Sequence, residues 1–416
     1  VQPGSTIKPL SIYTAAIDTL EMTQSTVFSD ARGGYKFKEN RKWNPSTTTA
    51  GAGNMTLRLG LAKSSNTVAV KTAENLGESY QDCIDVMMDY LKNFGITTVV
   101  DSKTNSSNTT DRSFPSLVLG GMAYGISPLE MSAAYGALAN GGVYIEPTVF
   151  TTVSTYNGEL IVKSTPQEHR VVDEEVAYVM TDMLKAVLTE GTGSDASIGK
   201  MPVAGKTGTT NNKYCVWFVG YTPYYVGATY IGDDVGRKDS NGNKIDLRPV
   251  EGSSSTTAKL WANVMKPIHE NLEVVDFEKP SGINFYKINL IDGGLSSYGS
   301  NAAFVKGTSP TRTSSYSVPT PSNTGTTQDE PTNDNAGDGD NPPDDNTDNN
   351  NGDNTNDNNN NNNQTPGGNQ DDNNGDNGNT GGGDNQDNTT PGDNGETNTG
   401  GITDTNNATE ALQPEQ

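Results

Sequence analysis

Cysteine is nearly absent from the sequence: Cys83 and Cys215 are the only two in 416 residues, too few and too far apart for a disulfide framework or a metal knuckle. Both are expected to be buried thiols. Histidine is as scarce, and His169 and His269 are read as surface or packing residues. No apolar run is long enough to span a bilayer. The chain opens on Val1 with neither a leader nor an anchor, so a missing upstream segment is expected. Clusters of Lys and Arg interleaved with aromatics are lacking too, which argues against nucleic acid as a partner. No internal repeat is found.

The most one-sided scarcity begins near residue 319. From Pro319 to Gln416 there is no Lys or Arg and almost nothing aromatic or aliphatic, only Asn, Asp, Gly, Thr and Pro in long runs. Such a segment cannot bury enough surface to offset chain entropy and reads as disordered. It holds 20 of the 51 acidic residues, so the formal charge of -23 divides into -20 here and -3 for the rest. The expected organisation is a folded domain over 1–270, an extension and linker over 271–318, and an acidic tail over 319–416. The D-x-[DN]-x-[DN]-G-x₅-E calcium loop is missing from that tail, which reads instead as a hydrated spacer.

Hydrophobic spacing predicts helices over 5–20, 55–76, 82–94 and 127–138, with a loop over 33–54. The pattern then changes to period two over 143–155 and 160–163, joined by the hairpin dipeptide Asn157-Gly158. A helix capped by Asp173 follows, then strands over 203–210, 214–221 and 225–231, and a last helix over 256–269. Helices first and an antiparallel meander later indicate an α+β fold, helices flanking one sheet beside an all-helical part.

Three patterns carry chemistry. Ser5-Thr6-Ile7-Lys8 sets a hydroxyl and an amine on one face at the start of a helix. A serine hydroxyl needs a neighbour to take its proton, and lysine serves when burial or a second cation lowers its pKa. Lys206 is the candidate second cation, and the free N–H of Ser5 can meet an oxyanion. The plain alternative is a serine acting as an N-cap. Ser64 and Asn66 of Ser64-Ser65-Asn66 can project into a cleft as proton relay and amide holder. Lys206-Thr207-Gly208-Thr209 lies on a strand whose glycines permit close backbone approach. A peptide lying along that edge would present its carboxylate to Lys206, Thr207 and Thr209; otherwise the strand is a solvated edge.

Together the ordered set S-x-x-K, S-x-N and K-T-G resembles the penicillin-recognising serine transferases. Further stretches narrow the resemblance to the transpeptidase domain of class A penicillin-binding proteins. They are Gly4 to Pro9, Leu57-Arg58 ahead of Ser64, Ala134-Tyr135 through Asn140-Gly141-Gly142, Ala204 to Thr210, and Trp217 to Pro223. The similarity runs from Val1 to about Arg312.

The resemblance implies a penicillin-binding transpeptidase fold and an acyl-enzyme mechanism on the D-Ala-D-Ala end of peptidoglycan stem peptides. Ser5 would be the nucleophile, Lys8 its base, and Ser64 with Lys206 the relay to the leaving D-alanine. Asn66 would hold the substrate amide, and Thr207, Gly208 and Thr209 its carboxylate end. Backbone N–H groups of Ser5 and Thr209 would form the oxyanion hole. β-Lactam antibiotics would acylate Ser5, and no metal or other cofactor is implied. The family also carries an upstream membrane anchor and glycosyltransferase domain. A place on the outer face of the bacterial membrane, within the wall and near cell-wall assembly proteins, follows. The start of the transpeptidase domain is then expected to be missing, with a sheet edge left exposed.

Departures and alternatives bear on this. The middle motif is Ser-Ser-Asn, not Ser-Asp-Asn, and no Glu-x-x-Leu-Asn stands between Asn66 and Lys206, so a β-lactamase is disfavoured. Cys215-Val216 stands where the family has an acidic or small residue before Trp217. A D-Ala-D-Ala carboxypeptidase, or a β-lactam sensor without turnover, remain the alternatives.

Overall fold

A computed structural model describes residues 1–19, 22–43, 45, 49, 51–101, 109–233, 240–243 and 248–316. The tail from Pro319 lies outside the described residues. Helices pack against an antiparallel sheet, the expected α+β arrangement.

The first helical segment is not one α-helix. A 3₁₀ turn, Gly4–Ile7, is followed by a π turn, Pro9–Tyr13, and then by α1, Thr14–Asp18. Pro9 has no N–H to offer the Ser5 carbonyl, which takes the Lys8 N–H instead, and the helix widens past this point. The Thr14 hydroxyl donates to the Pro9 carbonyl at 2.7 Å, binding the wide turn to the regular one.

Strand β1, Val27–Ser29, pairs antiparallel with β2, Asn54–Thr56, and between them α2, Lys38–Trp43, occupies a stretch expected to be loop. The helix expected over 55–76 is two helices, α3 Leu57–Ala62 and α4 Asn66–Ala73. The Ser64 N–H donates to Leu61 O and the Ser65 N–H to Gly60 O, with Ser64 left-handed at φ 58°. That is a Schellman ending with serine where glycine is usual. Apolar spacing continues across it, which hid the break.

Helices α5 Tyr80–Asn93, α6 Phe114–Leu119 and α7 Pro128–Ala139 complete the helical part. Ser79 with Asp82 and Ser127 with Glu130 close reciprocal capping boxes at α5 and α7. The predicted strand over 143–155 is two, β3 Val143–Ile145 and β4 Thr152–Ser154, with Pro147 between them. β4 pairs with β5, Leu160–Lys163, around Asn157-Gly158, and β3 with β6, Glu168–Arg170.

After α8, Glu174–Thr189, come β7 Ala204–Thr209, β8 Cys215–Tyr221 and β9 Val226–Gly232, in the order β7-β8-β9. Asp173 stands at the N-cap of α8 without making a side-chain capping bond. β8 is buried throughout, and strand alternation divides its side chains between two cores. Trp217, Val219 and Tyr221 join the main core, where the Tyr221 hydroxyl meets Thr181 of α8 at 2.9 Å. Phe218 turns instead to α9, Ser254–Ile268, and meets Trp261 edge-on at 5.4 Å. That geometry adds roughly 0.5–1.5 kcal/mol to burial alone.

A final antiparallel pair, β10 Ile283–Ile288 and β11 Ser300–Val305, was not predicted. It is tied to the core at Ala303, whose N–H donates to Asp182 at 3.0 Å and whose carbonyl accepts from Gln24 at 2.7 Å. Among the described residues no helix is long and apolar enough to cross a membrane.

Candidate active site

Two glycines bring the Ser5 turn against β7. Gly4, at φ 54°, sits where a Cβ would lie 2.8 Å from the Thr209 carbonyl oxygen. A Cβ on Gly208 would lie 2.7 Å from the Pro3 carbonyl and 2.8 Å from the Thr6 methyl. Only backbone without side chains permits both approaches. Tyr135 of α7 fixes the turn from behind, its hydroxyl donating to Thr6 O at 2.7 Å. Ser5 is left half-buried in a cleft of about 200 Å³ whose lining includes Gln2, Trp43, Asn66, Thr209 and Asn211.

Lys8, wholly buried, reaches from this segment to the turn between α3 and α4. Its Nζ donates to Ser64 O at 2.9 Å and to Asn66 Oδ1 at 2.7 Å, with Ser65 O at 3.4 Å. Burial first, and the Lys206 charge second, hold the Lys8 amine well below the ordinary lysine value. Lys206 is also wholly buried and is pushed down to about 7 by that burial. Its Nζ donates to Thr207 O at 3.0 Å, with Thr207 Oγ1 at 3.4 Å.

The other predicted residues divide into exposed and buried. Ser64 and Asn66 are half-buried, and Thr209 is exposed at the cleft. Thr207 is buried, its hydroxyl shared with Thr192 as well as Lys206. The Thr210 N–H pairs with Cys215 O at 3.0 Å, so ladder alternation turns the Thr209 backbone away from β8 and toward Gly4. Gln2, Trp43, Asn211 and Thr192 were missed, since no motif marks them.

Outside the site, Cys83 and Cys215 are free and buried, as expected, and burial pushes both thiols up. His269 is packed between Thr222 Oγ1, at 2.7 Å, and Met265 O, at 2.8 Å. His169 is exposed and its ring meets Asn93 O. Larger hollows of about 720 and 410 Å³ lie against α8 and α7 respectively, and neither is lined by a buried lysine or by any residue of the three motifs. Among the described residues no group of three or more His, Cys, Asp or Glu could hold a metal ion.

The family described as the penicillin binding protein transpeptidase domain matches residues 1–244. The chain belongs to that family. Penicillin-binding protein 1A of Clostridium botulinum is 34% identical to this transpeptidase over an alignment of 324 residues, and the match covers 74% of this chain and 36% of the relative. The 1A protein of Aquifex aeolicus is 32% identical over 314 residues, 74% of this chain and 39% of its own length. The transpeptidase chain thus spans little more than a third of these relatives.

Among solved structures, penicillin-binding protein 1A from Haemophilus influenzae superposes with a TM-score of 0.60 at 25% identity. That match covers 76% of this chain and 49% of the other. The PonA1 protein from Mycobacterium tuberculosis, in complex with penicillin V, shares the fold at a TM-score of 0.52 and 20% identity. It covers 68% of this chain and 72% of its own.

Proposed function

We propose that this transpeptidase domain acylates Ser5 with a stem peptide ending in D-Ala-D-Ala and passes the acyl group to an amine of a neighbouring peptide. The observation that carries this reading is Lys8, a buried amine held below its ordinary pKa beside a second buried amine. A neutral lysine keeps two N–H groups. The two short bonds to Ser64 O and Asn66 Oδ1 use both and leave the lone pair for the Ser5 proton.

As Ser5 Oγ bonds to the carbonyl carbon, charge gathers on the carbonyl oxygen, and the N–H groups of Ser5 and Thr209 are the donors for it. Ser64, with Lys206 behind it, returns a proton to the departing D-alanine nitrogen as the C–N bond breaks. Asn66 holds the substrate amide. The backbone beside Gly208 and the hydroxyls of Thr209 and Thr207 receive the carboxylate end. An acceptor amine then attacks the ester, and Ser5 leaves with its proton restored.

β-Lactams present the same acyl carbon on a strained amide and acylate Ser5 without an efficient exit; the M. tuberculosis protein of the same fold is described with penicillin V bound. The whole protein, on this reading, also carries a glycosyltransferase domain and a membrane anchor upstream. It acts on the outer face of the bacterial membrane, with cell-wall assembly proteins as further partners.

Intact mass after incubation with a fluorescent penicillin tests the proposal. One adduct on the wild-type chain and none on Ser5→Ala is the expected result. An unlabelled wild type, or an adduct that persists in Ser5→Ala, overturns it.

A further inference from the structure

Beneath the turn that carries Ser64 lies a carboxylate that belongs to no motif. Asp30 follows β1 directly, has no exposed surface, and accepts a hydrogen bond from the Ser65 hydroxyl through Oδ1. Its other oxygen, Oδ2, has no hydrogen-bond partner among the described residues. A buried carboxylate with a single acceptor contact is costly, and such a group calls for a reason. Its position is enforced from several sides. The Asp30 N–H donates to Gly53 O at 2.8 Å, and Lys71 of α4 grips the flanking carbonyls of Ser29 and Ala31 at 2.7 and 3.0 Å.

Ser65 is the hinge of the turn. Its hydroxyl caps α4 by accepting the Val68 N–H at 3.1 Å, so its one proton is free to go to Asp30. Both functions of that hydroxyl are then used, and its rotor is fixed. On one side of Ser65 stands Ser64 in its left-handed conformation, which a non-glycine residue keeps only under constraint. On the other stands Asn66, and the carbonyls and amide of this turn hold Lys8.

We infer that Asp30 is a positioning residue for acylation, which, through Ser65, holds Ser64 and Asn66 where they meet Lys8 and the substrate. This role rests on the transpeptidase reading above. Misplacement of reacting groups by about 1 Å costs on the order of 100-fold in rate, and an oriented turn is what prevents it.

The test is the rate of Ser5 acylation by a fluorescent penicillin, measured on the full chain and normalised to the fraction able to react, which intact mass supplies. Asp30→Ala and Ser65→Ala each remove the contact and are expected to slow the competent fraction roughly 10- to 100-fold. Asp30→Asn keeps an acceptor and is expected to lose less than about fivefold. Variants that change only the competent fraction or the melting temperature, with the wild-type rate per competent molecule, overturn the inference. So does an Asp30→Asn as slow as Asp30→Ala. If Asp30→Ala does not fold, a wild-type rate in Ser65→Ala overturns the inference, and a slowed Ser65→Ala beside an Asp30→Asn within about fivefold of wild type supports it. No labelling of the wild type sinks the transpeptidase reading itself, and this role with it, an outcome distinct from a labelled wild type whose variants keep its rate.

Discussion

Lys206 is a buried amine whose Nζ, among the described residues, hydrogen-bonds to the neighbouring Thr207 alone. Burial therefore favours its neutral form and sets its pKa at about 7, while the unfolded chain keeps an ordinary lysine. Between those values the unfolded state binds more protons, so the contribution to stability rises with pH. Lys8 is lowered in the same direction. Lys206→Met should flatten the rise of melting temperature from about pH 7 to 10, as thermal denaturation at stepped pH would show. Removing that cation should also raise the Lys8 pKa and move the acid limb of penicillin acylation to higher pH. A limb that stays in place would exclude Lys206 as a cause of the Lys8 shift. The motif residues were legible at this scale because their types are few and their order is specific. Asp30 and Thr192 were not, since single acids and threonines are common and become neighbours of the site only through the fold.

Among the elements, α3 is tied to α8 by a buried cation. Arg58, buried, donates to Asp182 Oδ2 of α8 at 2.7 Å, to Gln24 Oε1 at 2.8 Å and to Glu190 Oε1 at 3.2 Å. Asp182 in turn takes the Ala303 N–H, so α3, α8 and β11 share one buried polar knot. Arg58→Met would leave Asp182 buried beside no cation, a loss of about 3–5 kcal/mol, measurable by urea denaturation. Where an element has one strong local signal the sequence was readable. Ser127-Pro128 announced α7, Asn157-Gly158 announced the β4–β5 turn, and the largely apolar run from Cys215 to Tyr221 announced β8. Where the signal is shared by two structures it was not. The α3–α4 break hid within continuous apolar spacing, and β10 has only its end residues, Ile283 and Ile288, buried. The helix α6 carried Pro115 at its start and left-handed Gly120 at its end, a signature short enough to pass unread.

At the scale of the whole molecule, charge is separated along the chain. The part up to Val318 carries a formal -3 and the part from Pro319 carries -20. Deleting the latter should leave the penicillin acylation rate and the melting temperature unchanged while greatly weakening binding to an anion exchanger. A slower acylation would show that the acidic segment takes part in catalysis. Composition alone was enough to read this division, because it needs no contacts, whereas the packing of β10 and β11 on the core depends on partners distant in sequence.

The seam between the Ser5 turn and β7 also has an evolutionary consequence. Gly4 and Gly208 face carbonyl oxygens at distances that admit no side chain. On the proposed function, inherited change that altered inhibitor sensitivity while keeping acyl transfer would have to leave that seam alone. It would fall on the rim of the cleft, at positions such as Trp43, Ser116 and Asn211, where a side chain can change without moving the reacting backbone.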